Sequence, residues 1–117
     1  MADIKVLVLV GSLRAASINR QLAELAVESA PEGVDLRVFD RLGELPFYNE
    51  DIDTADVDEP VSALRTAAAG ADAALVITPE YNGSIPGVLK NAIDWLSRPY
   101  GNGALKDKPV AVIGAAL

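Results

Sequence analysis

Ile4-Lys5-Val6-Leu7-Val8-Leu9-Val10 runs directly into Gly11-Ser12-Leu13-Arg14-Ala15-Ala16-Ser17-Ile18-Asn19-Arg20. The first seven residues form a nearly continuous apolar run, the mark of a strand buried on both faces of a parallel sheet. The next ten make a short polar loop that feeds a helix. Ser12, Arg14, Ser17 and Asn19 bring hydroxyls, a guanidinium and a carboxamide into one turn. Backbone N–H groups and the positive end of the helix dipole add to them, and the sum is the chemistry of a phosphate cradle. The competing reading is a plain strand-to-helix turn in which Ser17 is only an N-cap. The loop is neither a Walker A loop, since no Gly-Lys-Ser/Thr follows, nor a Gly-x-Gly-x-x-Gly dinucleotide fingerprint.

The rest of the chain extends the same pattern to β-α-β-α-β-α-β. Residues 17–30 read as a helix, with Ile18, Leu22, Leu25, Ala26 and Ser29 on one face and Pro31-Glu32-Gly33 as its stop. Residues 34–39 alternate apolar and charged side chains, as expected of a strand near a sheet edge. Residues 41–58 form a long connection of the kind that is often functional. Its acidic stretch, Glu50 to Glu59, reads as a solvated loop, with a metal site there the weaker alternative because nothing enforces the geometry of a calcium loop. Residues 60–69 read as a second helix, 73–78 as a third strand, 84–97 as a third helix and 109–115 as a fourth strand. In the third helix Leu89, Ile93 and Leu96 face inward and Lys90 pairs with Asp94, four residues on. Trp95 reads as core or interface. Strands alternating with helices predict an α/β fold with a parallel sheet and right-handed crossovers. Ligands of such sheets bind beyond the carboxyl ends of the strands, at a switch point. The loops expected to meet there are residues 11–17, residues 79–84 and the segment after Ala115.

The second of these loops is Pro79-Glu80-Tyr81-Asn82-Gly83-Ser84-Ile85-Pro86-Gly87. Pro79 and Gly83 shape a tight turn that can present backbone N–H groups. Tyr81 adds a flat apolar face with a polar tip, suited to a planar heterocycle. A bare turn at Asn82-Gly83, with Ser84 capping the next helix, accounts for the same residues.

Composition narrows the chemistry. A chain of 117 residues, 50% hydrophobic, makes one folded domain. Its formal net charge of −7 argues against nucleic acid or anionic membrane as a partner. An anionic ligand therefore needs a local cation, and Arg14 is the obvious one. The chain has no cysteine and no histidine, which excludes thiol nucleophiles, Ser-His-Asp triads and His/Cys metal sites. Met1-Ala2-Asp3 is not a positively charged leader and the apolar run is too short for a span, so a cytoplasmic protein is expected. A receiver domain shares the architecture, but it needs acidic residues where this chain has Gly11-Ser12.

Two stretches together carry a family resemblance. Gly11-Ser12-Leu13-Arg14-x-x-Ser17-x-Asn19-Arg20 comes first. Pro79-Glu80-Tyr81-Asn82-Gly83-Ser84-Ile85-Pro86-Gly87-x-Leu89-Lys90-Asn91-x-x-Asp94-Trp95 follows in order and at the right distance. The chain resembles the NAD(P)H-dependent FMN reductase family, the flavodoxin-like group that includes quinone and chromate reductases. The resemblance implies a single flavodoxin-like, three-layer FMN-binding domain over residues 1–117 with strand order 2-1-3-4. It implies that Ser12, Arg14, Ser17, Ile18 and Asn19 hold the phosphate and ribityl end of FMN. Pro79, Glu80, Tyr81, Asn82 and Gly83 would line the isoalloxazine. NAD(P)H would deliver hydride to flavin N5, and a quinone, free flavin or other small electron acceptor would then take it by a ping-pong mechanism. No protein nucleophile is needed for that chemistry. A homodimer or homotetramer is expected, with the Trp95 helix as a contact surface. Family members also run on through a further loop, a fifth strand and more helices, which this sequence does not include. Alternatives are a flavin-binding electron carrier without NAD(P)H turnover, or an inactive fragment.

Overall fold

The apolar run Ile4–Val10 is the strand β1, and it is buried from Leu7 to Val10. The computed structural model describes residues 4–14 and 17–115; Met1-Ala2-Asp3, Ala15 and Ala16 of the first loop, and the segment after Ala115 lie outside the described residues. Beyond β1 the elements are α1 (Ile18–Glu28), β2 (Val34–Val38), α2 (Glu59–Ala69), β3 (Ala73–Ile77), α3 (Gly87–Leu96) and β4 (Val110–Ile113). The strands form one parallel sheet in the order β2-β1-β3-β4. Val6 stands opposite Leu36 on one side and Ala73 on the other. The chain moves from β1 to one neighbour through α1, then back across to the other through α2. The switch point therefore lies between β1 and β3.

Alternation along β1 builds two cores, because successive strand side chains point to opposite faces. Leu7 and Leu9 pack with Val61 and Leu64 of α2 and Leu89, Ala92 and Trp95 of α3. Val8 and Val10 pack with Ala23 of α1 and Ile77 of β3. The result is the three-layer α/β sandwich expected from the sequence. No described helix is long and apolar enough to cross a membrane.

Several local expectations are corrected. Asn19 and Ala23 are the buried residues of α1 and Leu22 packs against the core beside them as expected, whereas Ile18 is 39% and Leu25 57% exposed. Helix α3 begins at Gly87 with Pro86 as its N-cap, so Ser84 does not cap it. Trp95 is fully buried in the core, as one of its two expected places, so its side chain is not on the surface of α3. The Lys90–Asp94 pair forms as expected, at 2.6 Å.

The long connection is held down rather than free. Its Pro46 carbonyl accepts from Asn91 Nδ2 at 2.9 Å and from Trp95 Nε1 at 2.8 Å. Asn91 Oδ1 in turn accepts the Tyr48 N–H at 2.8 Å. Two short 3-10 turns, Leu42–Glu44 and Glu50–Ile52, punctuate the segment. Within the acidic stretch, Asp53 is not simply solvated. Arg65 of α2 grips it with two bonds of 2.8 and 3.0 Å, and also donates to the Trp95 carbonyl at the end of α3.

The Arg65 hydrogen bonds hold the Asp53 carboxyl below its ordinary value of 3.8. A carboxyl depressed in the folded state stabilises the fold fully above its unfolded pKa and loses that contribution as pH falls through the folded one. Asp53→Asn is therefore expected to cost about 2 kcal/mol at neutral pH. It should also flatten the fall in stability below about pH 4. Urea melts from pH 7 to pH 2.5 measure both, and parallel acid limbs in the two proteins would disprove the assignment.

Candidate functional site

The carboxyl ends of β1, β3 and β4 close on one another before their loops diverge. Gly11 N–H donates to the Ile77 carbonyl at 2.8 Å, and Thr78 N–H to the Ile113 carbonyl at 3.0 Å. A Cβ on Gly11 would meet Thr78 Oγ1 at 2.7 Å, and one on Gly114 would run into the Thr78 carbonyl oxygen. Gly114 needs glycine because the neighbouring backbone comes so near, whereas at Gly11 it is the Thr78 and Leu89 side chains that occupy the space.

Above these ends lies a cleft of about 420 Å³. Ser12, Arg14, Ser17, Ile18 and Asn19 line it from one loop, and Pro79, Glu80 and Tyr81 from the other. Ala115, just past β4, completes the lining. Eight of the ten residues expected at the site are thus brought together. Asn82 and Gly83 do not line the cleft; they form the bend beside it.

That bend follows from its residues. Asn82 and Gly83 have φ of 53° and 79°, the pair of positive angles that a type I′ turn requires. Tyr81 and Ser84 exchange both backbone hydrogen bonds across it, at 2.8 and 3.0 Å. Pro79 and this small hairpin hold Tyr81 at the edge of the cleft, half exposed.

The opposite wall is the start of α1. Ser17 is its N-cap, with Oγ accepting from the N–H groups of Asn19 at 3.2 Å and Arg20 at 3.4 Å. Ser12 Oγ accepts from Arg14 N–H at 3.4 Å. Each hydroxyl is used here as an acceptor, so each keeps its own proton to donate to an anion. The N-cap reading and the cradle reading of Ser17 are therefore compatible. The Arg14 guanidinium is exposed and makes no ion pair among the described residues. Glu80 lines the cleft from the second loop and forms no salt bridge with Arg14. Asn19 differs from its neighbours. Its Nδ2 donates to the Ala115 carbonyl at 3.2 Å, and its Oδ1 accepts the Ala115 N–H at 3.0 Å. Sequence reasoning could not find that contact, since it joins residues 96 positions apart.

Comparison with known proteins shows the family. A family model described as NADPH-dependent FMN reductase matches residues 4–117. The chain is 46% identical over 114 residues to a 2-hydroxy-1,4-benzoquinone reductase from Burkholderia sp, covering 97% of this chain and 61% of that protein. It is 47% identical over 111 residues to a quinone reductase of Pseudomonas putida, covering 95% and 59%. Among solved structures, the flavoenzyme NAD(P)H:(acceptor) oxidoreductase FerB from Paracoccus denitrificans superimposes with a TM-score of 0.88 at 45% identity. That match covers 97% of this chain and 61% of FerB. The chain thus spans about three fifths of the length of these relatives.

Proposed function

The chain belongs to the NADPH-dependent FMN reductase family, and from that premise we propose that it forms the FMN-binding part of an NAD(P)H oxidoreductase acting on quinones. The observation that carries the reading is the single cleft in which a cationic, hydroxyl-lined helix start faces the Pro79-Tyr81 wall. Its volume lies in the range of ~300–1,000 Å³ usual for cofactor pockets.

The donor set fits FMN. Arg14 supplies the positive charge, Ser12 and Ser17 the hydroxyl donors, and α1 the favourable dipole for a phosphate. Pro79 and Tyr81 give a flat wall for a ring system. When bound, FMN supplies the reaction itself, hydride transfer between NAD(P)H and a small oxidant by way of flavin N5 in two half-reactions. The protein's own contribution is to bind, orient and shield. Ile18 and Tyr81 offer apolar surface at the rim, and the 79–84 hairpin fixes the ring side of the cleft. Quinones are the first acceptor class to try, since both curated relatives described above carry that substrate in their names.

The test is an absorbance spectrum of purified protein after FMN loading and desalting, followed by anaerobic NADPH and then a water-soluble benzoquinone. Retained flavin that bleaches with NADPH and recovers with quinone is the expected result. Absence of retained flavin would overturn the reading for this chain. Retained flavin that NADPH leaves oxidised would reassign it as a carrier.

A further inference from the structure

We infer that Asn19 is a positioning residue: its carboxamide acts on the flavin site by fixing the backbone of Ala115 as the cleft's third wall. The inference rests on the FMN reading of the cleft. Asn19 is 1% exposed and sits in the first turn of α1, a place where a polar side chain would ordinarily reach solvent or ligand. Instead its donor and its acceptor both meet the backbone of one residue, Ala115, at 3.2 and 3.0 Å. This is the exchange that two paired residues make in an antiparallel ladder, with a side-chain amide replacing one strand.

The chain beyond β4 has need of such a partner. The last ladder bond between β3 and β4 is that of Thr78 N–H to the Ile113 carbonyl. Past it comes Pro79, which has no N–H to donate to the neighbouring strand. Gly114 then crosses the Thr78 carbonyl so closely that no Cβ fits. Ala115 follows, lining the cleft, and its N–H and C=O both go to Asn19. Asn19 thus ties the first loop's helix to the exit of the far strand, and it sets where Ala115 stands in the lining of the cleft.

A ligand to the phosphate and a residue that sets a wall predict different affinities. Loss of a direct phosphate contact weakens FMN and spares riboflavin. Loss of a wall weakens both alike. Asn19→Ala and the smaller change Asn19→Ser should each raise the Kd of FMN and of riboflavin by about tenfold, with their ratio held within twofold. Amide hydrogen exchange gives a readout independent of flavin. In the unsubstituted protein the Ala115 amide should be protected like those of β4. In the variants it should exchange at least tenfold faster, with Val8 and Leu9 unchanged.

Selective loss of FMN binding would overturn the inference, as would an unprotected Ala115 amide in the unsubstituted protein. A lower melting temperature with both affinities unmoved would reduce Asn19 to a stabilising contact and also overturn it. If neither variant folds, the Ala115 amide of the unsubstituted protein decides. Failure of that protein to bind either flavin would instead strike the FMN reading, leaving the exchange data to report on the contact itself.

Discussion

Trp95→Ala is expected to remove about 4 kcal/mol of stability, a large share of what a domain of this size holds. The indole is fully buried in the core that joins α2, α3 and β1. Its loss opens a cavity beneath the sheet and ends three further contacts. Trp95 Nε1 donates to the Pro46 carbonyl at 2.8 Å. The Tyr48 ring meets the indole edge-on at 4.7 Å, and the Arg65 guanidinium lies 5.4 Å from its centroid. The thermal midpoint should fall by roughly 15 °C. Trp95→Phe should cost much less, about 2 kcal/mol, for a specific reason. The Pro46 carbonyl keeps its bond from Asn91 Nδ2, so removing the indole N–H leaves no buried acceptor unpaired. Urea melts of the two variants separate cavity from hydrogen bond. Equal losses would mean that the indole N–H contributes most of the effect, contrary to this account.

The same residues show how far the sequence can be read and where reading stops. Four strands and three helices were legible because each depends on local periodicity and on turn residues nearby. The buried half of β1 is an unbroken apolar run, and Asn82-Gly83 marks its turn because few residues tolerate two positive φ angles in succession. The cleft was legible for a related reason: in a parallel sheet, the loops after the strands must gather at one end.

What escaped was set by contacts distant in sequence. A helix face drawn through Ile18 and Leu25 follows hydrophobicity, yet α1 turns Asn19 inward because Ala115 supplies a partner for its amide. The acidic stretch before α2 looked solvated because Asp53 does not reveal, from its neighbours, that Arg65 will meet it, and Pro46 gives as little sign of Trp95. Asn91 and Trp95 belong to the stretch that carries the family resemblance, but in the fold they grip this connection and do not line the cleft. Among the described residues β4 pairs with β3 alone, and Val112 is 64% exposed.

Arg14→Ala is expected to raise the Kd of FMN about thirtyfold while leaving riboflavin within a factor of two. The free energy behind this is that of charge-assisted hydrogen bonds to a phosphate, ~1.5–3 kcal/mol, or roughly ten- to 150-fold. Two observations favour an effect of that size. The guanidinium has no carboxylate partner among the described residues, so binding a phosphate breaks no existing pair. The chain as a whole carries a net charge of −7, so a dianionic ligand is repelled at a distance and depends on the local cation. Salt should therefore weaken FMN binding in the unsubstituted protein more steeply than in Arg14→Ala, because screening removes what the arginine supplies. Arg14→Lys keeps the charge but loses the planar fork, and it should fall between the two. Titration of flavin fluorescence at two salt concentrations measures all of these. If riboflavin weakens as much as FMN, Arg14 acts on the ring side; if neither weakens, the start of α1 is not the phosphate site.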